Sequence, residues 1–213
     1  MSSSSLLKKG LPYDAEIEYL ESTGTQYINT LYVLKANDVV ELVVCNTTAD
    51  FVENKGWGTG NSNEPGAEHD LGGGLRYSNG QICCWYWGRN YTFSPKLTNT
   101  TPYNYYHEEA HFSAPKGYVQ LEDLTTRQVY NITSITLSTF PSLSVNIFKG
   151  NGSYPYWGKK RFKHFRITNN NTPILDLIPV RIGNIGYMYD KVSGQLFGNA
   201  GTGSFILGAD KTN

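Results

Sequence analysis

The chain has 213 residues, with 18 basic and 18 acidic side chains and a formal net charge of +0. That balance excludes the basic footprint of a nucleic-acid binder, and the length suits one domain with a core that needs neither disulfides nor metals. With 16 Tyr, 22 Gly and only 17% charged residues, the composition favours strands and turns over helices.

Residues 1–13 are polar and aperiodic, end in Leu11-Pro12-Tyr13, and read as an arm or linker. They lack the apolar run of a secretory leader. No stretch approaches the roughly 18 apolar residues of a membrane helix. The expectation is a chain made in the cytosol, without membrane insertion, that is exported by other machinery or built into a particle. From Glu16, strand signals recur. Ile17, Tyr19, Tyr27 and Ile28 suggest an opening hairpin around Ser22-Thr23-Gly24. Val39 to Cys45 is apolar in both phases, the pattern of an inner strand covered on both faces. Residues 53–80 are Gly- and Pro-rich and read as loop. Ile82 to Trp87 is a dense aromatic strand, and Tyr118 to Leu121 is another. Leu143, Val145 and Ile147 alternate with polar residues, a half-exposed strand. Strands follow at Phe162–Ile167 and at Ile174–Ile178, the latter ending at Pro179. A hairpin then turns through Asp190-Lys191-Val192-Ser193-Gly194. No amphipathic helix of three turns and no repeat is present.

Cys45, Cys83 and Cys84 are an odd count, which argues against a disulfide framework and for reduced, packed thiols. Their spacing with the histidines matches no zinc site. Triplets such as Asn46-Thr47-Thr48 and Asn131-Ile132-Thr133 are read as by-products of an Asn/Thr-rich composition rather than as glycosylation sites.

The segments Glu18-Tyr19-Leu20-Glu21-Ser22-Thr23-Gly24-Thr25-Gln26-Tyr27-Ile28 and Asp176-Leu177-Ile178-Pro179-Val180-Arg181 carry a family signal. So do Ile185-Gly186-Tyr187-Met188-Tyr189-Asp190, Ser193 to Phe197 and Asn199 to Phe205. Together they resemble the concanavalin A-like, laminin-G-like jelly-roll domains of gut bacterial and bacteriophage surface proteins. The resemblance covers both ends of the chain, about a third of it. It implies an all-β fold, a two-sheet antiparallel jelly-roll sandwich over residues 14–209, with a tail at 210–213. It also implies a role in binding glycans or proteins, or in decorating a surface.

Four features are candidates for chemistry. His107-Glu108-Glu109-Ala110-His111 fits a zinc-protease pattern that needs a helix. On the strand expected here its two histidines stand about 13 Å apart, too far to share one zinc. Glu68-His69-Asp70 places two carboxylates in strand alternation, as jelly-roll glycosidases do. The third acidic residue of that pattern is missing and a glycine run follows, so a solvated loop, or calcium held by Glu68 and Asp70, is the preferred reading. Among the aromatics Trp57, Trp85, Tyr86, Trp87, Tyr91, Tyr154, Tyr156 and Trp157, packing claims at least half. Trp57 and Trp157, beside glycines, are expected to form an exposed sugar platform with Asn61, Asp70, Arg89 and Asn90 as polar contacts. Lys159-Lys160-Arg161 with Lys163, His164 and Arg166 reads as a solvated face or protected edge, or as a contact for phosphate or acidic polysaccharide.

The function expected is a non-catalytic surface module of a phage virion, of decoration, fibre or adhesin type. It would bind host surface polysaccharide or a neighbouring virion protein, with self-association a further expectation. The rivals are a lectin-like protein of the bacterial surface and a jelly-roll glycoside hydrolase, which requires a carboxylate pair converging in a groove.

Overall fold

A computed structural model describes residues 10–48, 55–59, 71–78, 80–86, 89–98, 101–113, 115–137, 140, 142–150 and 157–212. The strands are β1 (Ala15–Glu16), β2 (Leu20–Thr23), β3 (Ile28–Asn29), β4 (Asp38–Asn46), β5 (Trp57–Thr59) and β6 (Leu71–Ser78). β7 (Gln81–Tyr86), β8 (Arg89–Thr92), β9 (Tyr106–Phe112), β10 (Lys116–Asp123), β11 (Val129–Thr136) and β12 (Asn146–Ile147) follow. The chain closes with β13 (Lys159–Asn169), β14 (Thr172–Ile182), β15 (Ile185–Asp190), β16 (Leu196–Phe197) and β17 (Ile206–Leu207). No helix occurs among the described residues.

The strands form two antiparallel sheets, an all-β sandwich. The larger runs β11-β10-β9-β4-β13-β14-β15-β16, with β1 on β14 and β2 bridging β13 and β17. The smaller runs β3-β12-β5-β6-β7-β8. Period-two alternation builds the large sheet. Val40, Leu42 and Val44 of β4, Tyr106, Ala110 and Phe112 of β9, and Phe165 and Ile167 of β13 point into one core. They meet Trp57, Leu71, Tyr77, Cys84 and Tyr86 from the small sheet. The two ends of the chain are neighbours: Leu20 and Glu21 pair with Leu207 and Ile206, and Ile17 bridges Asp210. Tyr13 packs edge-on against Tyr189, with ring centroids 5.0 Å apart.

Several expected elements are corrected. The opening segment is not a hairpin. β2 pairs within the large sheet while β3 crosses to the small one, after a turn held by Ser22, Gln26 and Gly24 at φ 111°. β4 is central in its sheet, yet Val39, Glu41 and Val43 are half-buried on an outer face. Of the segment expected as a half-exposed strand, only Asn146–Ile147 is strand, and both residues are buried between β3 and β5. β14 continues through Pro179, which lies where its partner changes from β13 to β1, so the missing N–H interrupts no ladder. Within the expected loop of residues 53–80, Gly58 lies in β5 and Gly72 to Gly74 lie in β6. The closing hairpin forms as read: Asp190 accepts from the amides of Val192 and Ser193, and Gly194 takes φ 77°.

All three cysteines are free and buried. Burial holds the Cys84 thiol well above its ordinary value, so it is an inert packing group. The basic run is a solvated face at Lys159 and Lys163, as expected, but not at Lys160, and it does not lie at an edge. β13 is a central strand, and Lys160 on it is fully buried, donating to Asn46 Oδ1 and to the carbonyl of Leu75. Of the same run, Arg161 pairs with Glu21 at 2.5 Å, and His164 with Asp176 at 2.7 Å. Asn46 is likewise enclosed in the core, 1% exposed, and unavailable as a glycan acceptor.

Candidate functional site

The outward side chains of the large sheet form an ordered polar face. Register places Gln120, Glu109, Glu41, Arg166 and Asp176 in one row across β10, β9, β4, β13 and β14. The row on one side is Glu122, His107, Val43 and His164. The row on the other is Tyr118, His111, Val39 and Thr168. Strand alternation turns all of these away from the core.

Glu41 and Glu109 stand directly opposite one another. Two carboxylates so placed have Cβ atoms about 5 Å apart and repel, so the position demands cations. His107 Nε2 lies 3.0 Å from Glu41 Oε1, and Arg166 reaches Glu41 Oε2 at 3.9 Å. His111 closes on Glu109 Oε1. The hydrogen bond from His107 holds the Glu41 carboxyl below the ordinary range against the effect of burial, and the same bond raises His107. Burial pushes Asp176 upward, but the hydrogen bond from His164 and the charge of Lys191 outweigh it and lower the group. At the end of the row, Val39, Glu41, Glu109, His111, Arg166, Thr168 and Asn171 line a hollow of about 230 Å³. Tyr118 flanks it: 45% exposed, it stacks on the His111 ring at 4.0 Å and 17°. At the opposite end of the face, the Arg161 guanidinium lies between the rings of Tyr19 and Tyr103, at 4.2 and 4.4 Å. Lys163 lies over Tyr105 at 3.9 Å. This is a surface of paired charges with aromatic rings at both ends, suited to a neutral, hydroxyl-rich ligand.

The His107–Glu41 pair makes stability pH-dependent in a defined sense. His107, raised from 6.5, contributes fully below that value and loses its contribution as pH rises through its folded-state pKa. Glu41, lowered from 4.5, contributes above that value and loses its contribution as pH falls through its folded-state pKa. The pair is therefore most effective between pH 4.5 and 6.5. In an NMR titration His107 is expected to titrate above 6.5, and Glu41→Gln to return it toward that value. An unchanged His107 midpoint in that variant would contradict the pairing.

The residues singled out from sequence do not converge. Trp57 is in the core, fully buried, its Nε1 donating to Glu108 Oε1 at 3.0 Å. The expectation of an exposed platform there is wrong: its neighbouring glycines serve close packing, not exposure. Trp157 is half-buried, edge-on to Tyr27, with Lys149 over both rings at 4.5 and 4.6 Å. Arg89 and Asn90 are exposed on β8, at the far edge of the small sheet and three strands from Trp57. There Asn90 bonds Arg76 and Ser78, beside a Trp85 ring covered by the Arg76 guanidinium at 4.5 Å. Asn61, Glu68 and Asp70, with the calcium expectation, lie outside the described residues, as do Trp87, Tyr154 and Tyr156. His107 and His111 lie on a strand as expected and engage different carboxylates. No group able to hold a metal ion is found among the described residues.

No family model matches the chain, and no curated protein matches it significantly. Two solved structures are similar to it, both of scytalido-glutamic peptidase: one with a transition state analog inhibitor, one with a peptide based transition state analog. They are 16% and 17% identical to this chain, with TM-scores of 0.43 and 0.42, and the matches cover 88% of this chain and 100% of theirs. This corrects the expectation of a chain without catalysis. The sandwiches matched belong to an enzyme, and that expectation is withdrawn. No residue role is carried over from these matches.

Proposed function

We propose that this chain is a carbohydrate-recognising sandwich of the concanavalin A-like, laminin-G-like jelly-roll type, and that its ligand lies across the outer face of the large sheet. The observation that carries the reading is the row Glu109–Glu41–Arg166, whose hollow is flanked by the exposed Tyr118 ring. Paired carboxylates, imidazoles and a guanidinium bond hydroxyls in both directions, and an exposed ring accepts the C–H face of a sugar. The resemblance of the two chain ends supports a place on a bacteriophage particle, with host surface polysaccharide as the ligand.

A second reading is favoured by one observation. Glu41 and Glu109 stand directly opposite one another across β4 and β9, and glycosidases use a pair of neighbouring carboxylates as nucleophile and general acid. In that reading Glu41, kept ionised by His107, is the nucleophile, and Glu109 beside His111 is the acid.

The test is binding to an array of bacterial surface polysaccharides, with and without a calcium chelator, alongside an assay for released reducing ends. Tyr118→Ala and Glu109→Gln are each expected to weaken binding about tenfold or more, the scale of an interface anchor. Reducing ends formed by the wild type but not by Glu41→Gln would select the hydrolase reading. Binding unchanged in both variants would overturn the site.

A further inference from the structure

Lys160 and Asn46 face one another directly across β13 and β4. Both side chains are enclosed between the sheets, 0% and 1% exposed. Lys160 Nζ lies 2.5 Å from Asn46 Oδ1 and 3.0 Å from the carbonyl oxygen of Leu75. Asn46 Nδ2 in turn donates to the Tyr77 hydroxyl at 2.7 Å. Glu108, also fully buried, accepts from the amide of Gly74 at 2.8 Å, one residue from the carbonyl that Lys160 engages. Glu108 is the one carboxyl among the described residues whose charge is felt at Lys160.

An ammonium ion removed from water is costly unless it is paired. Burial pushes Lys160 down to about 7 and pushes the Glu108 carboxyl up. Burial therefore disfavours the charged form of both groups. A neutral amine is a nucleophile, and here it is held against a carboxamide in a site that excludes water. Proximity of this kind removes most of the entropic barrier to acyl transfer.

We propose that Lys160 and Asn46 join in an intramolecular isopeptide bond that staples β13 to β4. The Nζ lone pair attacks Asn46 Cγ, giving a tetrahedral centre. Nζ gives up its proton through Glu108, and Nδ2 gains one. The Cγ–Nδ2 bond breaks and ammonia leaves. One amine and one primary amide become one secondary amide and one ammonia, so the step needs no oxidant, reductant or cofactor. The Tyr77 hydroxyl, which already holds Nδ2, positions the leaving group. Gly73 makes room for the acid, since a Cβ there would stand 2.2 Å from Glu108 Oε1. The bond would tie together positions 114 residues apart, on two central strands of the large sheet.

The test is the intact mass of the purified, folded wild-type chain, followed by peptide mapping. The expected mass is one ammonia, about 17 Da, below that of the sequence, with a branched peptide linking the segments that carry Asn46 and Lys160. Lys160→Arg, Asn46→Ala and Glu108→Gln are each expected to carry the full mass of their sequence. The full sequence mass in the folded wild type would overturn the proposal, whether or not any variant folds. Ammonia loss confined to a single unbranched peptide, as in a succinimide, would overturn it equally.

Discussion

Glu108→Ala is expected to lower the stability of the chain by about 2–6 kcal/mol, the cost of leaving two buried donors without their acceptor. The carboxyl is fully buried and accepts from the Trp57 indole at 3.0 Å and the Gly74 amide at 2.8 Å. Its removal strands both donors away from water, at about 1–3 kcal/mol for each group, and removes a carboxyl whose charge is felt at the buried Lys160. For a chain of this size, 1 kcal/mol moves the melting temperature by roughly 2–4 °C, so a fall of roughly 10 °C is expected in a thermal scan. An unchanged transition would mean that Glu108 is not the hub of the core.

Gly56→Ala is expected to cost at least about 3 kcal/mol, at the upper end for overpacking, or to prevent folding. A Cβ at Gly56 would stand 2.4 Å from the carbonyl oxygen of Gly74 and 2.7 Å from its Cα, both backbone atoms. Gly56 cannot step aside. Its amide donates to Gly73 at 2.9 Å, and its carbonyl accepts from Phe148 at 2.5 Å. Gly198→Ala is the control. Its Cβ would stand 3.4 Å from the Tyr187 ring, and its effect is expected to stay within about 1 kcal/mol, as for ordinary surface substitutions. Urea unfolding of the two variants measures the difference, and equal midpoints would contradict the close approach of Gly56 to Gly74.

The all-β class was legible because strand alternation survives in single segments. Tyr106, Glu108, Ala110 and Phe112 face inward while His107, Glu109 and His111 face outward. The same alternation puts Glu109 on the outer face between His107 and His111, whose separation along the strand was read only as too great to share one zinc. What local sequence could not show was which strands become neighbours. The opposition of Glu41 to Glu109, and of Lys160 to Asn46, is a matter of cross-strand register between distant segments. Charge misled at one position: β13 is central with a solvated outer face, so Lys159 and Lys163 are exposed, while strand alternation turns Lys160 into the core. The tryptophans misled in the opposite direction. Gly56 and Gly58 flank Trp57 because backbones must approach closely around a buried indole.

The measurement that bears most directly on the proposed binding face is amide NMR of the chain titrated with a polysaccharide fragment that it binds. Shifts concentrated at Glu41, Glu109, His111, Tyr118 and Arg166 are the predicted result. Shifts at Trp85, Arg89 and Asn90 on the small sheet, with the large-sheet face unmoved, would contradict it.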